Sequence, residues 1–416
     1  MTVDRLRLYK YRVRGLPGAT VCAGELRRRD MARIKLQYWE KWGGHERDTM
    51  AEIVRSFNAS QRKYEVVMVE AGDWAASPDL PEFLRAHEQG VAPDLIGLED
   101  HQIADLAAQK ALAPLEQFMG TARLAGTGYR DSFLELGRCD GRLYGVPVSG
   151  DVVTLYVNLA AVQGTRLDGG CVPAQLWEFD ACLDEMCGQG KVGFVPTYPG
   201  WWPQAWAWCF GGSWLDERGT FTPALPANIR SYEWVASLRC RCDPMGFAQP
   251  LNPIGARDPD PFLSGEVAMV FEGDWLVRRL LRAPGVDWKP AAFPTAMQKP
   301  SALIVADVLS IPLGCRHPEG AAEFMRFAAQ PEQIERLALG HVKISPLRVW
   351  SERFVAEHQN PELGTLGAIL ATAHLFYDPR IAGWMGYLER IKRAFHLVWS
   401  EEETAARALT AIEDSA

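Results

Sequence analysis

Residues 34–39 read IKLQYW, in which apolar and polar side chains alternate, and this period of two predicts a β-strand. Over residues 50–57 the apolar side chains recur at i, i+3, i+4 and i+7, which predicts an amphipathic helix. Thr49 and Glu52 have the spacing of a capping box, so we expect this helix to begin near Thr49. Residues 64–69 then predict a second strand.

The same order of elements continues along the chain. Residues 81–87 and 103–112 have helical patterns, and residues 93–98 between them predict a short buried strand. An order of β-α-β-α-β-α predicts a parallel, doubly wound sheet. Because ligands bind such sheets outside the carboxyl ends of the strands, the residues that follow each strand are candidate site residues.

Acidic side chains follow all three of these strands, and tryptophans lie beside two of them. Glu40 and Trp42 follow the first strand, Asp73 and Trp74 follow the second, and Asp100 follows the third. Later in the chain the same two residue types recur at Asp151, Trp201, Trp202, Asp274, Trp275 and Trp384. An indole face suits the C–H face of a sugar ring, and carboxylates accept hydrogen bonds from its hydroxyls, so the combination favours a carbohydrate.

Each candidate also has a structural explanation. Any tryptophan can pack in a core, and Asp100 has the position of a helix N-cap. Asp151 and Asp274 could equally be loop charges. The pattern therefore favours a sugar site without assigning any one residue to it.

Charge and cysteine spacing argue against two other classes of site. The net charge is −8, and residues 1–35 hold ten Lys and Arg against three acids, which leaves −15 for the rest. An acidic body repels phosphate backbones, so we expect no nucleic-acid partner. The nine cysteines lack the paired spacing of a zinc site, so we expect no metal.

Catalytic signatures are missing from the sequence. Residues 211–215 fail the Gly-x-Ser-x-Gly pattern at the last position, and residues 188–192 lack the spacer of a P-loop. We therefore expect no enzyme and no cofactor. The carboxylate pairs Glu272 with Asp274 and Asp258 with Asp260 leave a glycosidase open as an alternative.

Six segments, taken in order, resemble the extracellular solute-binding proteins of bacterial ABC importers, in their sugar-binding, maltose-binding-like group. They are residues 34–58, 92–96, 112–115, 143–158, 262–275 and 310–324. The resemblance as a whole extends over about residues 34–412. Members of the family carry an export signal and few cysteines, whereas this chain has nine cysteines and only a basic N-terminal stub without an apolar stretch.

The resemblance implies an α/β, two-lobed fold of the type II periplasmic-binding class, with two doubly wound mixed sheets joined by hinge crossings. The ligand cleft would lie between the lobes. Lobe I would hold residues 34–148 and about 306–342, and lobe II residues 149–305 and about 343–416. Residues 1–33 would be a leader or the remnant of an export signal, with a functionless leader as the alternative.

The resemblance also implies a set of cleft residues. They are Glu40, Trp42, Asp73, Trp74, Asp100, Tyr144, Asp151, Trp201, Trp202, Asp274, Trp275, Asp307 and Trp384. Asp307 stands where the family often has glycine and would add a polar contact.

The implied function is non-catalytic capture of a mono- or oligosaccharide and its delivery to the permease subunits of an ABC transporter. The expected protein is a monomer at the periplasmic or extracellular face of the cell envelope, without cofactor. Two alternatives remain open, a carbohydrate-active enzyme and a sensory sugar-binding protein.

Overall fold

The computed structural model describes residues 32–69, 80–119, 128–199, 202–242 and 260–413. Nearly all of the predicted leader lies outside these residues, as do the candidates Asp73, Trp74 and Trp201.

The described residues form eleven strands and fifteen helices. The strands are β1 (Ile34–Trp39), β2 (Tyr64–Val69), β3 (Leu95–Glu99), β4 (Arg138–Cys139), β5 (Arg142–Leu143), β6 (Gly145–Asn158), β7 (Val192–Phe194), β8 (Val267–Gly273), β9 (Trp288–Ala291), β10 (Ser301–Ser310) and β11 (His374–Phe376). The helices of the first half are α1 (Gly44–Ser60), α2 (Pro81–Glu88), α3 (Ile103–Ala108), α4 (Glu116–Met119), α5 (Asp131–Leu136), α6 (Leu176–Gly188) and α7 (Ala205–Cys209). The later helices are α8 (Pro226–Cys242), α9 (Val277–Leu280), α10 (Pro318–Ala328), α11 (Pro331–His341), α12 (Glu352–Glu357), α13 (Leu363–Thr372), α14 (Trp384–Trp399) and α15 (Ala405–Glu413).

Two long strands connect the two parts of a mixed sheet. Hydrogen bonds join the strands in the order β2-β1-β3-β10-β6-β8-β7, with β9 beside β6 and β11 beside β10. β1 is parallel to both β2 and β3, which confirms the predicted parallel arrangement. β10 is antiparallel to β3 and β6. β6 and β10 therefore carry the sheet from the part built on β1–β3 to the part built on β7–β9.

Three apolar clusters form the core. The first packs around β6–β8 with α6–α8, α14 and α15. The second packs α1, α10 and α11 on β1 and β2, and the third packs α3, α12 and α13 around β3 and β10. Burying aliphatic and aromatic side chains of this size contributes about 1.5–3 kcal/mol each, so these clusters hold the two parts of the sheet in shape.

Trp206 lies near the centre of the first cluster. Its indole is edge-on to Phe293 at 5.3 Å and to Phe194 at 5.8 Å between ring centroids, and Phe271 lies 6.0 Å away. Edge-to-face pairs add about 0.5–1.5 kcal/mol each beyond the buried area. The aromatic stretch in the sequence therefore serves mainly as core at this point.

The start of α1 differs from the sequence-based expectation. The helix begins at Gly44 after an N-cap at Gly43, so the prediction that it begins near Thr49 is wrong. The Thr49 hydroxyl donates to the carbonyl of His45 at 3.0 Å, which is the bond that threonine makes inside a helix. Later in the chain, α10 starts at Pro318, and Trp384, Leu388, Ile391 and Phe395 form a buried face of α14.

The segment after α11 bears on the lobe boundaries. α12 and α13 pack in the third cluster with α3 and β10. The division into residues 34–148 with 306–342 and residues 149–305 with 343–416 stays a prediction. Within the described ranges, no helix is both long enough and apolar enough to cross a bilayer.

Candidate ligand-binding site

A cavity of about 570 Å³ lies where the residues after β1, β3 and β8 meet. β6 and β10 contribute to its base, and α14 contributes Met385, Leu388 and Lys392 to one side. A cavity of this size is in the usual range for a small-molecule site. The ends of strands that are far apart in the sequence thus converge on one place, as the doubly wound pattern predicted.

Six of the predicted site residues line this cavity. They are Trp42, Asp100, Asp151, Trp202, Trp275 and Asp307. Four others do not: Glu40, Asp274 and Trp384 are fully buried behind the lining, and Tyr144 packs against the third cluster. Trp384 is held in the first cluster with its ring 5.8 Å from Tyr387, because this face of α14 points into the core.

The cavity has an aromatic wall, formed by Trp202 and Trp275. Their ring centroids are 6.1 Å apart and their planes are inclined by 40°. Gly273 precedes this wall, and a Cβ atom there would lie 2.2 Å from the Trp275 ring. The absence of a side chain at Gly273 therefore allows the Trp275 indole to lie against the backbone.

Trp42 also lines the cavity. Its indole is 5% exposed and stands edge-on to the His341 ring at 4.6 Å. Burial lowers the pKa of His341 to about 4, so this imidazole is neutral near pH 7. A neutral ring packs against the indole without bringing a buried charge beside it.

Glu40 positions the Trp42 backbone. Its carboxylate accepts hydrogen bonds from the Tyr38 hydroxyl at 2.6 Å and from the Trp42 amide at 3.1 Å. Burial raises the pKa of Glu40 to about 7, although both of these hydrogen bonds act in the opposite direction. Glu40 thus acts on the cavity through Trp42, since it does not line the cavity itself.

Five charged side chains also line the cavity, and we refer to them together as the charged floor: Lys41, Glu46, Asp151, Asp307 and Lys343. The Lys343 ammonium is 3.1 Å from the Glu46 carboxylate, 3.2 Å from that of Asp151 and 3.8 Å from that of Asp307. Lys41 pairs with Asp307 as well. Lys41 also lies 3.2 Å from the Glu99 carboxylate, so the two lysines are shared among four carboxylates.

Burial and pairing act against each other on the charged floor. Burial alone would lower the pKa of Lys343, but the surrounding carboxylates, Asp151 first, raise it well above the ordinary value. Burial would raise the pKa of Asp307, but Lys41 and Lys343 hold it below its usual range. For Asp151 burial prevails over Lys343 and its pKa is raised. The floor thus keeps both ammonium groups charged.

Asp274 and Asp100 fix the backbone around the cavity. Asp274 accepts hydrogen bonds from the amides of Val152 at 3.0 Å and Ile344 at 2.6 Å, and burial raises its pKa to about 6. Asp100 accepts from the Ala306 amide at 2.9 Å and pairs with Arg380. Burial raises the pKa of Asp100, with Arg380 opposing it.

Several lining residues were not predicted. Lys41 lies between two predicted residues, Glu40 and Trp42, so its position after β1 was a usable signal. Lys343 follows α11 and pairs with carboxylates 36, 192 and 297 positions away in the sequence, those of Asp307, Asp151 and Glu46, so no local pattern marks it. The other lining residues outside the prediction include Glu46, Glu99, His101, Gln102, Gln204, Asp378, Met385, Leu388 and Lys392.

The arrangement is suited to holding a polar, hydroxyl-rich molecule. Three indoles offer apolar faces, and charged groups that accept or donate hydrogen bonds lie around them. In the part of the chain that the structure describes, no group of three or more His, Cys, Asp or Glu side chains could hold a metal ion.

Comparison with known families agrees with this geometry. Residues 52–343 match the model of the family described as bacterial extracellular solute-binding protein. The chain belongs to this family. The match covers β2 to the end of α11, and so includes most of the residues that line the cavity.

Solved structures with the same fold extend the comparison to nearly the whole chain. The structure of CpMnBP1 with mannotriose bound has a TM-score of 0.77 at 20% identity, covering 92% of this chain and 99% of the other. The cyclic alpha-maltosyl-1,6-maltose binding protein of Arthrobacter globiformis has a TM-score of 0.77 at 19% identity, covering 92% and 98%. These similarities establish the two-lobed fold, as predicted.

Curated relatives match over a shorter length. The sn-glycerol-3-phosphate-binding periplasmic protein UgpB of Yersinia pestis is 26% identical over 183 residues, which is 41% of this chain and 40% of the relative. The chain therefore spans about two fifths of the length of the curated relatives that it matches.

Proposed function

We propose that this protein is the substrate-binding component of an ABC importer and captures a mono- or oligosaccharide in the cavity between β1, β3, β10 and α14. It would deliver the sugar to the permease subunits at the periplasmic or extracellular face of the cell envelope. It acts as a monomer, without cofactor, nucleic acid or catalysis. Closing of the two lobes around the ligand would create the form that docks on the permease.

The observation that carries this proposal is the pairing of the aromatic wall with the charged floor. Trp202 and Trp275 offer aromatic faces to the cavity, and Lys41, Asp151 and Asp307 offer polar atoms to it. A sugar ring has the complementary surfaces, because its C–H groups form apolar patches and its hydroxyls both donate and accept. The solved structures that contain mannotriose and maltose share this fold.

The charge of the cavity argues against a phosphorylated ligand such as the one named for UgpB. Six carboxylates line it, those of Glu46, Glu99, Asp100, Asp151, Asp307 and Asp378, against the ammonium groups of Lys41, Lys343 and Lys392. Lys41 and Lys343 are already paired with carboxylates. A phosphate dianion would meet an excess of negative charge, whereas a neutral sugar would not.

Thermal-shift measurements on the full chain test the proposal. The panel contains glucose, mannose, maltose, mannobiose, mannotriose, sn-glycerol 3-phosphate, amino acids and polyamines. A ligand at about 100 times its Kd stabilises the folded state by roughly 2.7 kcal/mol, which raises the melting temperature clearly. We expect a shift with one class of sugar and none with glycerol 3-phosphate. A shift produced only by a non-sugar would contradict the proposal.

Three further measurements test the site and separate the alternatives. Trp275→Ala should weaken binding of the sugar, whereas Trp177→Ala should not, because Trp177 is 64% exposed and lies outside the cavity.

Chromatography of the sugar after prolonged incubation should show no turnover, and cleavage would favour the enzyme. A sensory role shares the binding step, so uptake of the labelled sugar by cells that lack the protein separates it from import.

A further inference from the structure

Helix α14 is joined to α3 by hydrogen bonds to an α3 side chain. Asp105 on α3 accepts hydrogen bonds from the backbone amides of Gly383 at 2.5 Å and Met385 at 3.0 Å, with one carboxylate oxygen for each. Gly383 is the N-cap residue of α14 and provides no side chain of its own. A helix of 16 residues is therefore capped at its N-terminus by a carboxylate from a different part of the chain.

A buried ion pair lies beside this cap. The Arg380 guanidinium contacts the Asp100 carboxylate and also donates to the Asp100 carbonyl at 2.5 Å. The side chains of Arg380 and Asp100 are 11% and 3% exposed. A pair held away from water with two contacts is sensitive to the separation of its partners, because parting them leaves buried charges without a counter-ion.

These contacts connect the two sides of the cavity. α3 packs in the third apolar cluster and α14 in the first. Asp100 lines the cavity from the α3 side, while Met385, Leu388 and Lys392 line it from α14. The cap and the ion pair thus join two parts of the wall that the core packs separately.

We propose that Asp105 and Arg380 are positioning residues that hold α14 against the α3 side of the cavity and thereby set how long a bound ligand stays. Neither residue lines the cavity, so each acts through the backbone of α14 or through Asp100. This inference rests on the proposed function, since it concerns release of the sugar that the cavity captures. Contacts that keep the walls together slow the release of a bound ligand, and differences in affinity between variants of one site lie mostly in the dissociation rate.

The test compares ligand kinetics of Asp105→Ala with those of the full wild-type chain. Stopped-flow tryptophan fluorescence gives the association and dissociation rate constants for the sugar of the panel that binds wild type most tightly. We expect Asp105→Ala to raise the dissociation rate constant at least fivefold, the size of effect typical of a lost helix cap, with the association rate constant within twofold of wild type. Asp105→Asn keeps one acceptor oxygen and should give an intermediate dissociation rate.

Asp131→Ala is the matched control. Asp131 also pairs with an arginine, Arg348 at 3.0 Å, but its side chain is 89% exposed and does not line the cavity. Its kinetics should equal those of wild type. A lower melting temperature for Asp105→Ala with an unchanged dissociation rate would overturn the inference, because the cap would then be only structural.

A second measurement needs no ligand and so separates this inference from the proposed function. Small-angle X-ray scattering of the ligand-free chains should give a larger radius of gyration for the double variant Asp105→Ala, Arg380→Lys than for wild type. If no sugar binds wild type, the proposed function fails and the scattering alone judges the attachment of α14. Equal radii of gyration in that case would overturn it.

Discussion

The charged floor and the aromatic wall of the cavity differ in how far their side chains satisfy one another. On the floor, Lys343 has two carboxylates within 3.2 Å and its side chain is 6% exposed. On the wall, Trp202 and Trp275 contact each other but both keep part of their surface exposed. The lysines of the floor are therefore paired without a ligand, whereas the wall has apolar area left to cover.

This difference predicts that the two regions respond to mutation in different ways. Removing a group from the floor leaves buried charges without partners and should lower the free energy of unfolding. Removing an indole from the wall takes away its exposed face, which a ligand would cover, so we expect its main effect to be a lower affinity. The experiments below test that division, from the largest expected effect to the smallest.

Lys343→Met should produce the largest loss. It leaves the carboxylates of Glu46 and Asp151 without their shared ammonium group, and breaking a buried pair typically costs about 3–5 kcal/mol. Chemical denaturation at pH 7 measures this loss. Lys392→Met is the matched control, because Lys392 also lines the cavity but its side chain is 38% exposed and pairs with Glu389. The control should lose less than about 1 kcal/mol. Equal losses in both variants would contradict a self-satisfied floor.

Glu40→Gln should change how stability depends on pH. The folded-state pKa of Glu40 is raised to about 7 from 4.5, so its folded form favours the proton. The stabilisation is complete below pH 4.5 and is lost as the pH rises to about 7, by roughly 3 kcal/mol in all. Glutamine stays neutral, so the variant should gain stability relative to wild type across that range.

Denaturation curves of both chains between pH 4.5 and 8 measure this difference. The glutamine side chain can still accept from the Tyr38 hydroxyl or the Trp42 amide, so the fold itself should persist. A constant difference in unfolding free energy across this range would show that Glu40 is ionised in the folded protein throughout.

Gly273→Ala should have the smallest effect and a selective one. The backbone at Gly273 has a φ of −79°, which alanine adopts readily, but the new Cβ would meet the Trp275 ring at 2.2 Å. The indole has to move, and we expect the Kd for the sugar to rise about tenfold, which is about 1.4 kcal/mol. Gly386→Ala on α14 is the control, since a Cβ there meets nothing within 4 Å. Titration calorimetry on both variants decides whether the position of Trp275 matters.

The aromatic wall and the parallel part of the sheet could be predicted from the sequence. Period-two and period-3.6 patterns mark β1, α1 and β2 locally, and Trp275 directly follows the β8 pattern. To predict that each strand-end residue lies at the site, we therefore needed only the rule that the carboxyl ends of the strands converge. Trp42 and Asp100 were found in the same way.

Asp151 and Asp307 of the charged floor were among the predicted cleft residues, but the rest of the floor could not be predicted, because its pairs are distant in the sequence. Lys343 meets Asp151 and Glu46 only after β6, α1 and the end of α11 have been brought together. Trp384 shows the opposite limit: it shares one face of α14 with Leu388, Ile391 and Phe395, and this local pattern indicates a core position, whereas the family resemblance placed its side chain in the cleft.

Isothermal titration calorimetry of the wild-type chain tests the central claim most directly. The claim predicts saturable binding of one sugar class from the panel with one site per chain, and a Kd that rises in Trp275→Ala but not in Trp177→Ala. Heat released only by sn-glycerol 3-phosphate or a polyamine, with none from any sugar, would contradict it.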